Sequence, residues 1–277
     1  MPHAHPRSEL ATHYNDSPTI KPSPAASAFS LSGAAWRAHG FALTIGPMKL
    51  LAPLGLPAPL PANPLTLVAA WLDEATAQKV QPNPNAMTLA TVSDGQPSAR
   101  IVLCKGIVAD PGYLVFVSNY HSRKGRELDA NPRAAAVMHW DDLHRQIRFE
   151  GVVHKAPAAH SDELHAIRPW QSRLGAWASQ QSQPVSGRAE LLAQLQAQAQ
   201  RFQTPPVGPD EQAADRDASV TIPRPAHWGG YYFYVDRVEA WVEGEYRIHD
   251  RVAYHRTLTN TAHGITTSPW TWQFLQP

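Results

Sequence analysis

Apolar and polar positions change rhythm several times along this chain. Asn63-Pro64 joins a good N-cap to a residue suited to a first helical turn, and apolar side chains then recur at Leu65, Val68, Trp71 or Leu72, and Ala75. That spacing predicts a helix to about Val80, ended by Pro82 and Pro84. The period then shortens. Met87–Val92 and Ala99–Cys104 are apolar runs on either side of Asp94-Gly95, a strong hairpin signal. Tyr113–Ser118 reads as a third strand, and Ser122 as the cap of a short helix through Leu128, stopped near Asn131-Pro132. Ala134–His139 and Gln146–Val153 read as two further strands. Helical signals return over Ser161–Ser179 and Gly187–Phe202, where Leu191, Leu192, Leu195 and Phe202 share a face. Residues 204–226 are rich in Pro, Asp and Ala and predict a surface loop. Tyr231–Val242 and Glu245–His255 flank Glu243-Gly244 as a final hairpin. Short strands without regular βαβ alternation predict an α+β fold, mainly antiparallel β with flanking helices, as a barrel or a sandwich.

Upstream, residues 1–62 hold many Pro, Ala, Ser and His without a sustained period, which predicts a disordered or loosely packed N-terminal extension before a domain over 63–277. His3, His5 and His13 have no rigid scaffold or partner ligands, so they read as a polar tail, and no metal is expected. The most apolar stretch, Phe41–Leu60, is interrupted by Pro47, Pro53, Pro57 and Pro59, so no membrane span is expected. From Met48, the segment Met-Lys-Leu-Leu-Ala-Pro faintly resembles a signal peptide, against which the prolines argue. Met48 is equally a candidate start of translation.

Length and charge narrow the partners. A chain of 277 residues can bury a sizeable core in one large domain or two small ones. A formal net charge of +1 argues against nucleic-acid or anionic-membrane partners, which call for a broad basic excess. The single cysteine, Cys104, excludes an internal disulfide framework and fits a reducing cytoplasm.

Candidate chemistry is cationic. The chain has no glycine-rich phosphate loop, nucleophile elbow or His-Glu-x-x-His helix. Asp141-Asp142 and Asp162-Glu163 read as solvated charges or caps. Arg123-Lys124, following Ser122 at a helix start, either forms an anion site or is an ordinary surface pair. Arg247, His249 and Arg251 would share one face of a strand, as an anion-binding row or as an exposed edge. Gln146 has an amide to offer a heterocycle, whereas Arg148 and Glu150 read as cross-strand charge pairs. Arg100 and Lys105 differ by an odd count, so a regular strand sends them to opposite faces. A shared pocket would then need a bulge, a strand end or a second subunit. Cys104 reads as a small core residue.

Taken in order, these segments resemble the pyridoxamine 5′-phosphate oxidase family. The stretches that carry the resemblance are Pro-Asn-Ala-Met-x-Leu-Ala-Thr-Val at 84–92, Arg-Ile-Val-Leu-Cys-Lys at 100–105, Ser-Arg-Lys at 122–124 and Asn-Pro-Arg at 131–133. They continue with Arg-Gln-Ile-Arg-Phe-Glu-Gly at 145–151, Gly-Ala-Trp-Ala-Ser-Gln-Gln-Ser at 175–182, Trp-Gly-Gly at 228–230 and Trp-x-x-Gly-Glu-x-Arg-x-His-Asp-Arg at 241–251. The resemblance implies a split β-barrel with antiparallel Greek-key topology. It also implies a homodimer, with two flavin mononucleotides (FMN) at the subunit interface and a C-terminal dimerisation hairpin.

Carried over by motif, Arg100, Ser118, Arg123 and Lys124 would hold the flavin phosphate and ribityl chain, with Ile101, Val102, Leu103, Cys104, Lys105 and Val117 beside them. Gln146, Gln181, Ser182, Trp241 and Arg251 would complete the flavin site. Lys105, Arg168 and Ser172 would bind the substrate phosphate, and Arg247 and His249, the implied catalytic pair, would lie against its ring. The implied reaction oxidises pyridoxamine or pyridoxine 5′-phosphate to pyridoxal 5′-phosphate, with dioxygen as acceptor and hydrogen peroxide as product.

The chain departs from the family pattern at several points. Leu164 stands where a phosphate-binding tyrosine is usual, no Arg-x-x-Tyr precedes Asn63, the chain ends Phe274-Leu275-Gln276-Pro277 instead of Arg-Leu-x-Pro, and the 204–226 loop is long. Leu164 and the missing Arg-x-x-Tyr favour a related flavin oxidase of another anionic aromatic, of the phenazine-precursor type. Lys105, Arg168, Ser172 and the Arg-x-His-x-Arg stretch oppose that alternative. A third alternative, a flavin- or pyridoxal-phosphate-binding module with little turnover, is opposed by the presence of Arg247 and His249.

Overall fold

The computed structural model describes residues 55–205, 220–262 and 264–277. The first 54 residues, with Met48 and the early histidines, lie outside this set, as does most of the 204–226 loop. Helix α1 (Pro64–Ala77) starts where predicted: the Asn63 side chain accepts from the Leu65 amide at 3.0 Å. Leu65, Val68, Trp71 and Ala75 turn to the core, and Leu56 and Leu60 pack on that core as well. Packing therefore begins inside the segment expected to be loose.

Strands β1 (Ala86–Ser93) and β2 (Gln96–Leu103) form the predicted hairpin. Asp94 and Gly95 both have positive φ, 52° and 76°, the geometry whose twist suits a two-residue turn. Then follow β3 (Gly106–Val108), β4 (Tyr113–Asn119), α2 (Arg123–Ala130), β5 (Arg133–Trp140) and β6 (Arg145–Lys155). Three helices, α3 (Ala158–Ala166), α4 (Trp170–Ala178) and α5 (Arg188–Arg201), precede β7 (Trp228–Val242), β8 (Asp250–His255), β9 (Leu258–Thr261), β10 (Gly264–Thr267) and β11 (Thr271–Phe274). The helical stretch after Ser161 is two helices because Pro169 lacks an N–H and excludes the residue before it from helical geometry.

All pairings are antiparallel, and nine strands join one sheet in the order β11-β8-β7-β6-β5-β1-β2, with β4 also on β7 and β3 on β4. β7 organises it. Its first half pairs with β4 and its second half with β8, while β6 runs along its other edge through a bulge at Glu150/Gly151. No ladder joins β2 to β3 or β4 among the described residues. Ile147, Phe149 and Val153 alternate with polar neighbours on β6 and bury against Phe116, Tyr231 and Phe233. Each large side chain buried in this way contributes about 1.5–3 kcal/mol. No helix of the described residues is long and apolar enough to cross a membrane.

The last hairpin differs from its prediction. Glu245–Arg247 form a 3-10 turn in which Tyr246 and Arg247 take positive φ (56° and 65°), and strand geometry resumes only at Asp250. The β7–β8 connection is thus a structured loop. β3 and β9–β11 were not predicted, being four residues or fewer.

Gly151 sits where β6 bulges against β7, and a Cβ there would run into the Tyr234 carbonyl oxygen. Gly151→Val should destabilise the fold by about 1–3 kcal/mol through overpacking, measured as a lowered urea midpoint at unchanged m-value.

Candidate cofactor and substrate site

At the start of α2 the Ser122 hydroxyl accepts from the Gly125 amide at 3.2 Å. This cap sets Arg123 and Lys124 in the first turn, where free backbone N–H groups favour anions. Lys124 Nζ donates to Ser118 Oγ on β4 (3.0 Å), to Ser122 Oγ (3.3 Å) and to Gln181 Oε1 just beyond α4 (2.6 Å). Burial, then the charge of Arg100, bring the Lys124 ammonium down to about 8, with Glu127 opposing.

One turn on, the buried Glu127 carboxylate receives Arg123 Nε at 2.8 Å, Arg100 Nη2 at 2.9 Å, Thr91 Oγ1 at 2.5 Å and Ser98 Oγ at 2.8 Å. Burial pushes its pKa up. The hydrogen bonds from Thr91, Ser98, Arg123 and Arg100 outweigh that and hold it at about 2. Glu127 stays ionised and fixes both guanidinium groups; Arg100 is tied as well to Thr91 Oγ1 at 2.6 Å.

A second group forms on the other side of the sheet order. The ladder register sets His139, Gln146, Trp241 and Arg251 in one row across β5, β6, β7 and β8. Trp241 lies against the His249 ring, centroids 4.8 Å apart, and the Gly244 amide donates to His249 Nδ1 at 3.1 Å. Beneath the row, buried Glu239 accepts Arg251 Nε (3.0 Å) and Nη2 (2.8 Å) on one oxygen and Arg148 Nη1 (3.0 Å) on the other. The cross-strand pairing expected of Arg148 is there, with Glu239 as its main partner; Glu150 is 3.6 Å away. Arg247 does not share a strand face with His249 and Arg251, because the 3-10 turn places it, exposed, on the loop.

Lys105 lies past the end of β2, exposed, its amide donating to Val115 O at 2.7 Å, so the odd spacing from Arg100 loses its force. In the run between them Ile101 faces outward, 63% exposed, Leu103 is half-buried, and Val102 and Cys104 face the core. Burial pushes the Cys104 thiol up to about 11; it is an inert core residue. Val117 is half-buried next to Ser118, and Ser182 follows Gln181 at φ 70°. Arg168 bridges α3 and α4 over the Trp228 ring at 4.7 Å, with Ser172 in the first turn of α4. Leu164 is half-buried and directed at Gly230.

Ser118 pairs with Gly229 at the start of β7, whereas Gln146 pairs with Trp241 near its end. The two groups are thus built on one chain at opposite ends of its longest strand.

Residues 72–202 match the family described as pyridoxamine 5′-phosphate oxidase, and residues 228–277 match the pyridoxine 5′-phosphate oxidase C-terminal dimerisation region. A pyridoxine/pyridoxamine 5′-phosphate oxidase of Bordetella pertussis is 50% identical over 194 residues, covering 70% of this chain and 83% of that protein. The chain belongs to the pyridoxamine 5′-phosphate oxidase family. A relative of the same name from Cupriavidus metallidurans is 46% identical over 208 residues, covering 75% of this chain and 89% of the relative. Among solved structures, PhzG from Burkholderia lata 383, in complex with tetrahydrophenazine-1-carboxylic acid, superposes with a TM-score of 0.66. It is 26% identical and covers 84% of this chain and 100% of PhzG. Membership makes the chain a flavin-dependent oxidoreductase with FMN as its cofactor.

The donor chemistry fits that group. Ser118, Lys124 and Gln181 with Arg100 and Arg123 suit a phosphate, and the amide of Gln146 with the Trp241 face suits a flat polar ring. Glu127 and Glu239 were missed in the sequence. The first had a readable signal, the i,i+4 spacing from Arg123; the second needed the register of β6 on β7.

Glu127 also yields a pH dependence. Its folded pKa lies below the ordinary 4.5, so its stabilisation is complete above that value and is lost as pH falls toward 2. Glu127→Gln should cost about 3 kcal/mol at neutral pH, and the gap to the unsubstituted protein should close across that window in urea titrations.

Proposed function

We propose that two copies of this chain close split β-barrels around two FMN sites. Each site would take the Ser118–Lys124–Gln181 group from one subunit and the Gln146–Trp241–Arg251 row from its partner. The observation that carries this reading is the placement of the two groups at opposite ends of β7. The dimerisation region matched over residues 228–277 supports it, as do Trp272 and Phe274 on β11, exposed at 47% and 64%.

The reaction we assign is oxidation of pyridoxamine or pyridoxine 5′-phosphate to pyridoxal 5′-phosphate. FMN, when bound, would supply the redox chemistry, a two-electron oxidation at the exocyclic carbon with dioxygen as final acceptor and hydrogen peroxide as product, water converting the imine from pyridoxamine 5′-phosphate to the aldehyde with release of ammonia. The chain supplies position and charge. Arg100, Arg123 and Lys124 neutralise the cofactor phosphate, Gln146 hydrogen-bonds the ring edge, and Trp241 packs at its side. Lys105, Arg168 and Ser172 hold the substrate phosphate. His249 Nδ1 accepts from Gly244, which leaves the proton of the neutral ring on Nε2, where it would be the donor to the substrate. Arg247, carried on the strained loop, adds the charge that orients it. The identity of about half to curated oxidases of this name favours the B6 substrate over a phenazine precursor. A buried, lone thiol suits a cytoplasmic enzyme.

Purified protein should be yellow, elute as a dimer, and release peroxide with pyridoxamine 5′-phosphate but hardly with unphosphorylated pyridoxamine. A colourless monomer that takes up no FMN would overturn the proposal, and a yellow dimer turning over only aromatic carboxylates would overturn the substrate. Lys124 gives a pH signature. With its ammonium near 8, FMN affinity of the apoprotein should hold below that pH and fall above it. Flavin-fluorescence titrations from about pH 6 to about pH 9.5 measure this. Lys124→Met should weaken binding roughly tenfold, about 1.4 kcal/mol, and abolish the step.

A further inference from the structure

The connection from β7 to β8 leaves the sheet at Glu243 and returns at Asp250, which pairs with Val242. It buries little apolar surface: Tyr246 and Ile248 are 76% and 71% exposed. Its shape is nevertheless narrowly set. The Ile248 amide donates to the Glu245 carbonyl at 3.0 Å, the Gly244 amide donates to His249 Nδ1 at 3.1 Å, and a Cβ on Gly244 would run into the Ile248 carbonyl oxygen. A loop bonded to itself in this way is placed as a unit. Whatever anchors its first residue therefore sets where Arg247 and His249 stand.

That anchor is double. β6 and β7 pair as far as Arg145 and Val242, and one step beyond the ladder the Glu243 amide donates to the His144 carbonyl at 2.9 Å. The side chains meet as well, with His144 Nδ1 2.5 Å from Glu243 Oε2. A carboxylate can only accept, so Nδ1 is the donor. His144 closes the 3-10 turn between β5 and β6 in left-handed geometry (φ 54°), its own amide donating to the Asp141 carbonyl at 2.9 Å. This brings its imidazole to the residue at which β7 becomes loop. Both side chains are 51% exposed. An exposed pair of this kind contributes little to global stability; its effect is local, on the residue that leads into the loop.

We propose that Glu243 and His144 are positioning residues, a clip that holds the Arg247–His249 loop against the β5–β6 turn in the arrangement that receives the substrate. The inference rests on the reading in which Arg247 and His249 meet the substrate. Without the clip the loop samples other placements, and apparent affinity falls with the fraction of molecules that keep the competent one. KM should then rise while kcat holds, because the substrate that is bound sits against a competent loop. Gln146 and Trp241 stand on the ladder, outside the loop, so flavin retention should not change.

The test compares Glu243→Ala, Glu243→Gln, His144→Gly and the Glu243→Ala, His144→Gly double variant as FMN-loaded protein. Glycine suits the left-handed φ at position 144, so that substitution removes the imidazole without straining the turn. Glu243→Ala and His144→Gly should each raise KM for pyridoxamine 5′-phosphate roughly fivefold, the scale of one exposed pair, with kcat, flavin absorbance and urea midpoint unchanged. The double variant should be no worse than either single one, since both remove the same contact. Glu243→Gln, which keeps an acceptor, should recover most of the loss. Hydrogen exchange at the Gly244 and Ile248 amides reads the loop without substrate and should quicken by a similar factor in the same variants. Quickened exchange in a protein that does not oxidise pyridoxamine 5′-phosphate overturns the substrate reading and leaves the clip standing. Unchanged exchange, or additive losses in the double variant, overturns the clip.

Discussion

A carboxylate removed from water must be hydrogen-bonded on every side or it will not remain ionised, and Glu127 meets that condition with two hydroxyls and two guanidinium groups. Its four partners come from β1, β2 and the first turn of α2, so one buried charge ties the hairpin to the helix. Arg100 and Arg123 would repel each other without it. With it they form a fixed pair beside Lys124, whose ammonium is the group left short of charge compensation. An anion arriving there meets a wall already assembled, and little ordering remains to be done on binding.

Glu239 repeats the device on β7, where it fixes Arg148 and the Arg251 of the Gln146–Trp241 row. Both carboxylates are acceptors only, so each holds its arginines without competing for the ligand. What differs is the neighbour they support: a flexible ammonium at one place, an indole and an imidazole in contact at the other. The long strand β7 makes this division possible. By pairing with β4 along one half and β8 along the other, it links the wall that carries Ser118 to the wall that carries Arg251.

Leu164 is packed toward Gly230 in place of a hydroxyl, yet the adjoining pocket, lined by His165, Arg168, Arg173 and Arg224, is rich in guanidinium groups. Loss of one neutral donor thus sits beside a surplus of charged ones, and charge-assisted hydrogen bonds to phosphate are the stronger kind.

Local chemistry was legible in the sequence wherever one residue type dictates its own geometry. Asn63 and Ser122 marked helix starts, Asp94-Gly95 marked a turn, and alternation along Gln146–Val153 marked a strand with a buried face; all stand in the structure. The sequence by itself also named the cations that the family resemblance implies, through motif order. Tertiary structure alone decided what those cations touch. Periodicity suggested that Arg247, His249 and Arg251 share a strand, but two left-handed residues break it. Glu239 meets Arg148 through strand register, and His165, Arg173 and Arg224 converge because a proline turn folds α4 back toward the start of β7. Contacts of this kind depend on packing between segments far apart in the chain, and no local pattern encodes them.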